Sequence, residues 1–529
     1  MTHKQVYKYS EIHDKILKAV GIIADPIRET MSPKGRNVLF ENDKGSVIST
    51  NDGATLAKCI SVSDPILNAI IEVIKGASLK SNSEVGDGTS TTILLSSILI
   101  REGLKLVTDG HNAMDIKREL DSFAVKLIDK LKKEAITIKN DTDLLNIATI
   151  SANNDKAIAK DTVKAIKTAG LDGMIFIEPN TNKDTEIVED IGFYIESGMF
   201  DKELRTEPNK LTAIHLDVPV LITDKRLYYK EEVQTILGTL VKEGYKSVVV
   251  VAKDFIGESL NEFAINHKNN IIKCLLVKAP MSSNNDNTLD DLAVYLGGKV
   301  VSEKAGKLVN NLSIKDFCFA SRAFSDMTKT LITPKVLTNK LKTDRIKVLK
   351  KELEKDKDNE ELKRRISALT NGMVTIKIGG RTPIEVNERI FRFEDAINAT
   401  RAAMRDGYLV GGGMSILKAY NSIKKDIVNT TPELNTMFKK FAEGNLRQII
   451  ENCGKHVETI MSDIEICSEL NMQNAGYNAL NDSVEDLLKA GVVDPYKVTE
   501  NAILNSVSVA SQILSSGWLI INEIKEDKE

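Results

Sequence analysis

The middle of the chain alternates short β-rich runs with helical patterns, whereas its first and last thirds are mainly helical in pattern. The β-rich runs are Val218–Thr223, Ser247–Ala252, Ile271–Val277 and Lys299–Ser302. The helical patterns that separate them are Glu231–Glu243, Gly257–His267 and Thr288–Leu296. This alternation predicts a mainly parallel sheet with helices on its faces. Helical segments on both sides of it predict one domain inserted into another, so that the first and last thirds form a single body.

Three further segments have recognisable local patterns. Asn37–Thr50 contains two short β-like runs around Asn42–Gly45, which predicts a β-hairpin, and Trp518–Ile521 predicts a short terminal strand. A lone hairpin is marginal in water, so we expect both segments to pair with other strands, in this chain or in a neighbouring copy. Lys335–Leu369 is rich in lysine and glutamate, which predicts a solvated pair of amphipathic helices.

The composition excludes several classes of protein. The 529 residues are 28% charged and 42% hydrophobic, which is typical of a globular protein of three or four domains. The chain has 72 Lys and Arg against 75 Asp and Glu, a net charge of −3, and only 5% aromatic residues. These values argue against nucleic-acid binding through bulk positive charge or through base stacking.

Membrane insertion, export and zinc binding are also not expected. The apolar runs are far shorter than the roughly 20 residues of a membrane span, and the N-terminal segment has no apolar signal region. The five scattered cysteines form no CxxC pair, which predicts reduced thiols in the cytoplasm. None of the six histidines has a second ligand at helical spacing, which predicts no zinc site.

The sharpest local signal is the segment Gly86–Thr92, GDGTSTT, directly ahead of an apolar helical run. Glycines let backbone N–H groups approach an anion, and a helix N-terminus adds positive potential. Asp87 would repel a bare phosphate but would hold Mg²⁺ beside one. The alternative interpretation is an ordinary polar turn that caps a helix. Neither a Walker sequence nor a GxGxxG, GxSxG or HExxH pattern occurs in the chain.

Seven ordered segments carry a resemblance to a known family. They are TMSPKGRNV (Thr30–Val38), NDGATLAK (Asn51–Lys58), GDGTSTT (Gly86–Thr92), ATISANND (Ala148–Asp155), EDAINATRAAMRDGYLVGGG (Glu394–Gly413), AGYNAL (Ala475–Leu480) and VVDPYKVT (Val492–Thr499). In sequence and spacing the chain resembles the group I chaperonins, the GroEL-type ring ATPases, as a divergent and specialised or phage-encoded member.

The resemblance implies a multidomain α and α/β fold. A mostly helical equatorial domain would comprise residues 1–133 and 407–529, a small intermediate domain residues 134–190 and 374–406, and an inserted apical α/β domain residues 191–373. This nesting agrees with the insertion that the alternating pattern predicts independently.

The resemblance also implies a site for ATP and Mg²⁺, and it leaves a K⁺ requirement open. Asp87 would hold the metal, Asp395 would orient the attacking water, and Asp52 would be a second catalytic acid beside the γ-phosphate. The other residues implied in ATP binding are Thr30, Met31, Ser32, Pro33, Asn51, Gly53, Gly88, Thr89, Ser90, Thr91, Ile150, Ser151, Gly411, Gly412, Asn478, Ala479, Val492 and Asp494.

The implied function is an ATP-dependent chaperonin in the cytoplasm, a homo-oligomeric ring with seven subunits per ring that binds unfolded client proteins. The alternatives are a nucleotide-dependent client-holding or scaffold protein of the same fold and, far behind, a small-molecule phosphotransferase. Client binding is expected at Leu237, Leu260, Ala264 and Ile265. The need for a co-chaperonin is left open, and no nucleic-acid or membrane partner is expected.

The chain departs from the family pattern at both sites. Ser32 stands where the family usually has glycine and Asn51 where it usually has lysine. In the apical segment, Gln234 replaces a usual leucine, and Met281–Asn287 replaces a loop that usually contains glycine and arginine. We therefore expect altered client and co-chaperonin surfaces on a conserved ATPase.

Overall fold

The computed structural model describes residues 4–41, 45, 47–171, 173, 175–180, 182–190, 192–206, 211–279, 285–336, 339–356, 359–370, 373–427 and 431–522. The chain forms two compact units. The first comprises Met1–Lys164, Pro179–Thr185 and Ile378–Glu529, and the second comprises Ala165–Glu178 and Glu186–Lys377. The second unit is therefore inserted into the first in chain order, as the sequence pattern predicts, while the finer three-domain boundaries stay a prediction.

The described residues form helices in both units. In chain order they are α1 (His13–Arg28), α2 (Gly53–Cys59), α3 (Pro65–Val85), α4 (Thr89–Thr108), α5 (Ala113–Glu134), α6 (Asp141–Ser151), α7 (Lys156–Ala169), α8 (Lys230–Lys242), α9 (Glu258–Lys268), α10 (Asn285–Tyr295), α11 (Lys340–Lys355), α12 (Glu360–Thr370), α13 (Pro383–Asp406), α14 (Met414–Ile423), α15 (Pro432–Asn452), α16 (Val457–Glu469) and α17 (Tyr496–Ser515). Within the described part of the chain, no helix combines the length and apolarity needed to span a membrane.

The strands are shorter and most of them lie in the second unit. They are β1 (Lys4–Lys8), β2 (Val38–Glu41), β3 (Val47–Thr50), β4 (Ile175–Pro179), β5 (Glu186–Asp190), β6 (Phe193–Ile195), β7 (Ala213–Ile222), β8 (Arg226–Leu227), β9 (Ser247–Ala252), β10 (Asp254–Phe255), β11 (Lys273–Lys278), β12 (Cys318–Ser325), β13 (Thr330–Pro334), β14 (Met373–Ile378), β15 (Tyr408–Val410), β16 (Ala475–Asn478), β17 (Ser483–Asp486), β18 (Val493–Pro495) and β19 (Trp518–Asn522).

The first unit is a bundle of long helices around an aromatic core. Helix α1 buries Ile16, Val20 and Ile23 on one face, in agreement with its apolar period. The Phe123 and Phe438 rings stack with their centroids 4.2 Å apart and bring α5 against α15. This core is shared by helices from the two ends of the chain, which confirms that the first and last thirds form one body.

Two small sheets lie at the edge of this bundle. Strands β2 and β3 pair antiparallel, which confirms the predicted hairpin, although most of its turn falls outside the described residues. The predicted terminal strand is β19, and it pairs antiparallel with β1 at the other end of the chain. Strand β1 was not predicted, because its five residues, KQVYK, show no alternation of polar and apolar side chains.

The second unit is built on a six-stranded sheet in the order β11–β9–β7–β12–β13–β6. Strands β11, β9 and β7 are parallel, as predicted, but β12, β13 and β6 add to the sheet antiparallel, so the prediction of a mainly parallel sheet is wrong for half of it. A short turn joins β12 to β13, and such a turn permits only antiparallel pairing. The predicted run Lys299–Ser302 contributes a single bridge between Thr223 and Val301.

The charged segment after this sheet forms the predicted helical pair, α11 and α12. Its contact with the unit is electrostatic as well as apolar. The Asp291 carboxylate on α10 is 2% exposed and accepts hydrogen bonds from Arg345 on α11 and Arg365 on α12. A buried carboxylate needs such partners, so the two arginines stabilise the position of the pair.

Candidate functional site

A cleft of about 310 Å³ opens in the first unit and gathers segments that are far apart in the sequence. Most of the predicted ATP-site residues line it: Thr30, Met31, Ser32, Pro33, Asn51, Asp52, Gly53, Asp87, Ser90, Thr91, Ile150, Asp395, Gly412, Asn478, Ala479, Val492 and Asp494. The remaining four, Gly88, Thr89, Ser151 and Gly411, lie beside the cleft and do not line it. The seven motifs of the sequence thus contribute to one site.

Close backbone contacts at two glycines explain how these segments can meet. A Cβ atom on Gly53, the first residue of α2, would lie 2.1 Å from Ser90 Oγ on α4. A Cβ atom on Gly86 would lie 2.2 Å from Asn398 Nδ2 on α13. Any larger residue would force these elements apart, so the glycines let the first turn of α4, the start of α2 and the Asp395 helix converge.

The first turn of α4 faces the cleft as an anion-binding helix end would. Gly88 is its N-cap residue and has a left-handed φ of 89°, which leaves the following N–H groups without a side-chain cap. Thr89 is 5% exposed and its Oγ1 has no hydrogen-bond partner. Asn445, in the wall of the cleft, is 8% exposed and its Oδ1 also has no partner. Buried polar atoms are nearly always satisfied, so the unpartnered Oδ1 of Asn445 in the lining indicates that a polar ligand completes the site, whereas Thr89 lies behind the lining.

Carboxylates dominate the charge of the cleft. Asp52 is the N-cap of α2 and accepts hydrogen bonds from the N–H groups of Ala54 and Thr55. Asp87 accepts from the N–H of Gly88, yet burial and the neighbouring charge of Asp52 raise its pKa. Burial, reinforced by the charges of Asp87, Asp52 and Glu394, raises the pKa of Asp395 well above its usual range. These couplings show that the acids lie close together.

The other end of the cleft is formed by β18 and the hairpin of β16 and β17. Asp494 lies on β18, where burial and the charge of Asp87 raise its pKa to about 7. Asn478 ends β16; its Oδ1 accepts from the N–H of Leu480 and its Nδ2 donates to Glu485. Gly411 packs behind this wall, because its N–H donates to the carbonyl of Val492.

The loop after α1 is held by a residue that the sequence analysis did not identify. Asn452, the last residue of α15, donates from Nδ2 to the carbonyls of Arg28 and Met31, at 2.8 and 2.7 Å. Gln448 in turn donates to Asn452 Oδ1. Asn452 therefore positions the Thr30–Pro33 segment in the cleft. Nothing in the local sequence distinguishes Asn452, because α15 contains many other polar residues.

Helix α13 brings further unpredicted residues to the cleft. Glu388, Phe391 and Arg392 line it together with Asp395. Asn153 and Asn154, just beyond α6, also line it and have left-handed φ values of 53° and 65°. The sequence analysis had assigned the neighbouring Ile150 and Ser151 to the pocket, but not these asparagines.

The polar residues that line the cleft fit a magnesium nucleotide better than a metal ion bound by protein ligands alone. Among the described residues, no group of three or more His, Cys, Asp or Glu could hold a metal ion. Mg²⁺ in nucleotide sites commonly takes one or two carboxylates and completes its shell with water and phosphate oxygens. Asp87, at the first turn of α4, is placed for that role.

The four residues predicted to bind clients lie in the second unit and differ in exposure. Leu237 on α8 is only 5% exposed and belongs to the core of the unit. On α9, Leu260 and Ala264 are half-buried and Ile265 is 54% exposed. Only the α9 residues are therefore accessible to a partner. Met281–Asn284, the start of the divergent loop, lies outside the described residues.

Comparisons with known proteins identify the family to which the chain belongs. The model of the TCP-1/cpn60 chaperonin family matches residues 23–523. The chain belongs to the TCP-1/cpn60 chaperonin family. The match confirms the resemblance that the seven motifs indicate and the chaperonin fold that it implies.

The chaperonin fold is also found by comparison with solved structures. The chaperonin gp146 from the bacteriophage EL 2 (Pseudomonas aeruginosa), crystallised in the presence of ATP-BeFx, is similar in two crystal forms. Crystal form I has a TM-score of 0.74 and 20% sequence identity, and crystal form II a TM-score of 0.71 and 21% identity. Each alignment covers 98% of this chain and 99% of the other.

Proposed function

We propose that this chaperonin hydrolyses ATP in a homo-oligomeric ring and uses the hydrolysis to drive the folding of bound, unfolded polypeptides. The observation that carries the proposal is the cleft itself. It combines an uncapped helix N-terminus, unpartnered buried polar atoms and a cluster of acids. The phage chaperonin of the same fold was crystallised with an ATP analogue, which supports the same ligand here.

The residues of the cleft divide the work of phosphoryl transfer to water. The N–H groups of the first α4 turn and the hydroxyls of Ser90 and Thr91 bind the phosphates. Asp87 would hold Mg²⁺, which neutralises phosphate charge, and K⁺ remains an optional second ion. Asp395 orients the water and accepts its proton as the oxygen attacks the γ-phosphorus. The bond from that phosphorus to the bridging oxygen breaks, which releases ADP and phosphate.

Exposed edges of the first unit support assembly into a ring, for which the resemblance to the group I chaperonins implies seven subunits. Within the described part of the chain, the two-stranded sheets β1–β19 and β2–β3 both have unpaired edges. They also expose Val6, Leu39, Trp518 and Ile520 at 56%, 70%, 60% and 58%. Unpaired edges with apolar side chains are disfavoured on a monomer. We propose that the hairpin of one subunit pairs with the terminal strands of its neighbour, in the cytoplasm.

Substitution of the water-orienting acid tests the enzymatic part of the proposal. Asp395→Ala should slow ATP hydrolysis about 100-fold or more, because the water loses its proton acceptor, and should leave nucleotide binding largely intact. Asp406→Ala, an exposed acid at the end of the same helix, is the matched control. Equal steady-state hydrolysis by Asp395→Ala and wild type would rule out this role.

Client holding without productive folding is the second candidate, since the surface around α9 is only partly apolar. Refolding of a denatured model protein by the purified chain, with and without ATP, separates the two. ATP-dependent recovery of the model protein supports a folding chaperonin. Capture without recovery, at a normal rate of ATP hydrolysis, supports a holding or scaffold protein. The same assay with and without a co-chaperonin addresses that dependence.

A further inference from the structure

Arg392 differs in charge from the other ionisable residues that line the cleft. Its described lining contains five carboxylates, Asp52, Asp87, Glu388, Asp395 and Asp494, and a single lysine or arginine, Arg392. A nucleoside triphosphate adds several negative charges to this set. Besides the metal and the helix N-terminus, Arg392 is the only source of positive charge that the described lining offers.

The position of Arg392 is suited to the reacting end of the nucleotide. It lies on α13 three residues before Asp395, and residues three apart are neighbours on one helix face. Asp395, in turn, lines the cleft together with Asp87 and Asp52. The guanidinium therefore shares the part of the cleft that contains the predicted metal and water ligands.

The hydrogen bonds of Arg392 are incomplete. Its Nη2 donates to Glu388 one turn earlier, but its Nε is buried and has no partner. A structural role as the i,i+4 partner of Glu388 would explain only the first contact. That pair is a weak one, because the Glu388 side chain is 43% exposed and the Arg392 side chain 28% exposed. A phosphate can accept from Nε and a terminal nitrogen together, as a bidentate partner of the fork.

We propose that the Arg392 guanidinium binds the terminal phosphate of ATP and stabilises its charge during hydrolysis, as a cationic catalytic residue supplied by the same chain. The proposal rests on the proposed ATPase function. Charge accumulates on the phosphoryl oxygens as the water oxygen bonds to the γ-phosphorus and the bond to the bridging oxygen breaks. Asp395 takes the water proton, while Arg392 donates hydrogen bonds and exchanges no proton.

The test compares Arg392→Gln and Arg392→Lys with wild type and with Arg405→Gln in the full chain. Arg405 is exposed in the last turn of the same helix, so its substitution makes the same charge change away from the cleft. Arg392→Gln should lower kcat by about 100-fold or more, with Arg392→Lys intermediate, because lysine keeps the charge but not the fork. Arg405→Gln should behave as wild type.

Nucleotide affinities separate a phosphate contact from a structural effect. Titration calorimetry in an Asp395→Ala background, which limits turnover, should show Mg·ATP binding weakened about tenfold by Arg392→Gln and Mg·ADP binding changed less than about twofold. Equal weakening of Mg·ATP and Mg·ADP binding would overturn the proposal. An Arg392→Gln protein with unchanged kcat and unchanged nucleotide affinities would overturn it as well. If Arg392→Gln fails to fold, the same ATP-specific loss must appear in Arg392→Lys. A wild-type chain that neither binds nor hydrolyses ATP would instead overturn the proposed function itself.

Discussion

Ser32 holds a backbone conformation that side chains normally avoid. Its φ is 81°, in the left-handed region, at the position where the chaperonin pattern usually has glycine. The conformation costs a non-glycine residue roughly 1–2 kcal/mol. Asn452 donates hydrogen bonds to the carbonyls of Arg28 and Met31 on either side of this segment, and these bonds offset part of that cost. The Thr30–Pro33 segment is thus strained locally and held by a tertiary contact.

We expect Ser32→Gly to stabilise the nucleotide-free chain. The relieved strain is partly offset by the greater freedom of glycine in the unfolded chain, so the free energy of unfolding should rise by about 0.5 kcal/mol. Ser32→Val should lower it by about 1 kcal/mol or more, because a branched side chain tolerates the left-handed region least. Urea unfolding curves of the three proteins measure this order. A less stable Ser32→Gly protein would show that the loop is not strained.

At the scale of single elements, the terminal strands carry the strongest indication of assembly. One face of the β1–β19 sheet packs Tyr7, Leu519 and Ile521 against the helical core. The opposite face presents Val6 paired with Ile520, and beside them Trp518. This outer face also carries Lys4, Lys8 and Asn522, and its exposed apolar residues at the centre predict a partner that covers them.

We expect Ile520→Lys to break the proposed ring into smaller species and to leave the fold of the subunit intact. The lysine keeps the strand but introduces a charge into the proposed contact. Leu470→Lys is the matched control, since Leu470 is 76% exposed at the end of α16, away from the strands. Sedimentation velocity reports the species. If Ile520→Lys still sedimented with the wild type, the ring contact would lie elsewhere.

The sheet of the second unit contains a buried base. His215 on β7 is 4% exposed, and its Nε2 has no hydrogen-bond partner. Burial, together with the positive charge of His267 and Lys273, lowers its pKa to about 4. The neutral form is therefore favoured in the folded chain, whereas the unfolded chain binds a proton near the usual pKa of about 6.5.

This difference predicts an acid-sensitive second unit. Neutral His215 contributes up to about 3 kcal/mol to the free energy of unfolding. This contribution is complete above about pH 6.5 and is lost as the pH falls towards 4. His215→Gln should remove that part of the pH dependence, while His456→Gln, at an exposed position of α16, should not. Hydrogen exchange of peptides covering β7 between pH 6.5 and 4.5 measures the local stability. Identical pH dependence in wild type and His215→Gln would contradict the assignment.

At the scale of the whole molecule, the two units have different kinds of surface. The first contains the acid-rich cleft and the exposed strand faces. The second contains the α8 and α9 helices, and the apolar face of α8 is closed to partners, because Val233, Ile236 and Leu237 are buried in the core of the unit. What remains accessible is a narrow apolar strip on α9 beside polar residues. A surface of this kind predicts weaker or narrower client binding.

We expect Ile265→Ser to lower the capture of a denatured model protein severalfold without changing ATP hydrolysis, because it removes exposed apolar area from that strip. Ile271→Ser is the matched control: it is the same residue type with the same 54% exposure, but it lies beyond α9. Light-scattering suppression of aggregation measures capture. Equal suppression by both variants and wild type would place the client surface elsewhere.

Local patterns were sufficient for much of this structure. The helices of the first unit, the hairpin, the terminal strand and the inserted order of the two units follow from periodicity and turn residues, which act over a few positions. The candidate cleft was also predictable, since its glycine and aspartate motifs are contiguous in sequence and carried the resemblance to the chaperonins.

Contacts between distant segments were decided only by the tertiary structure. The antiparallel half of the large sheet, the pairing of β1 with β19 and the burial of Leu237 depend on which surfaces meet after the chain has folded. The same holds for Asn452, whose two hydrogen bonds reach a loop more than 400 residues away in sequence. Arg392 gives no signal within its own helix, because only the acids that other segments bring into the cleft make its charge significant.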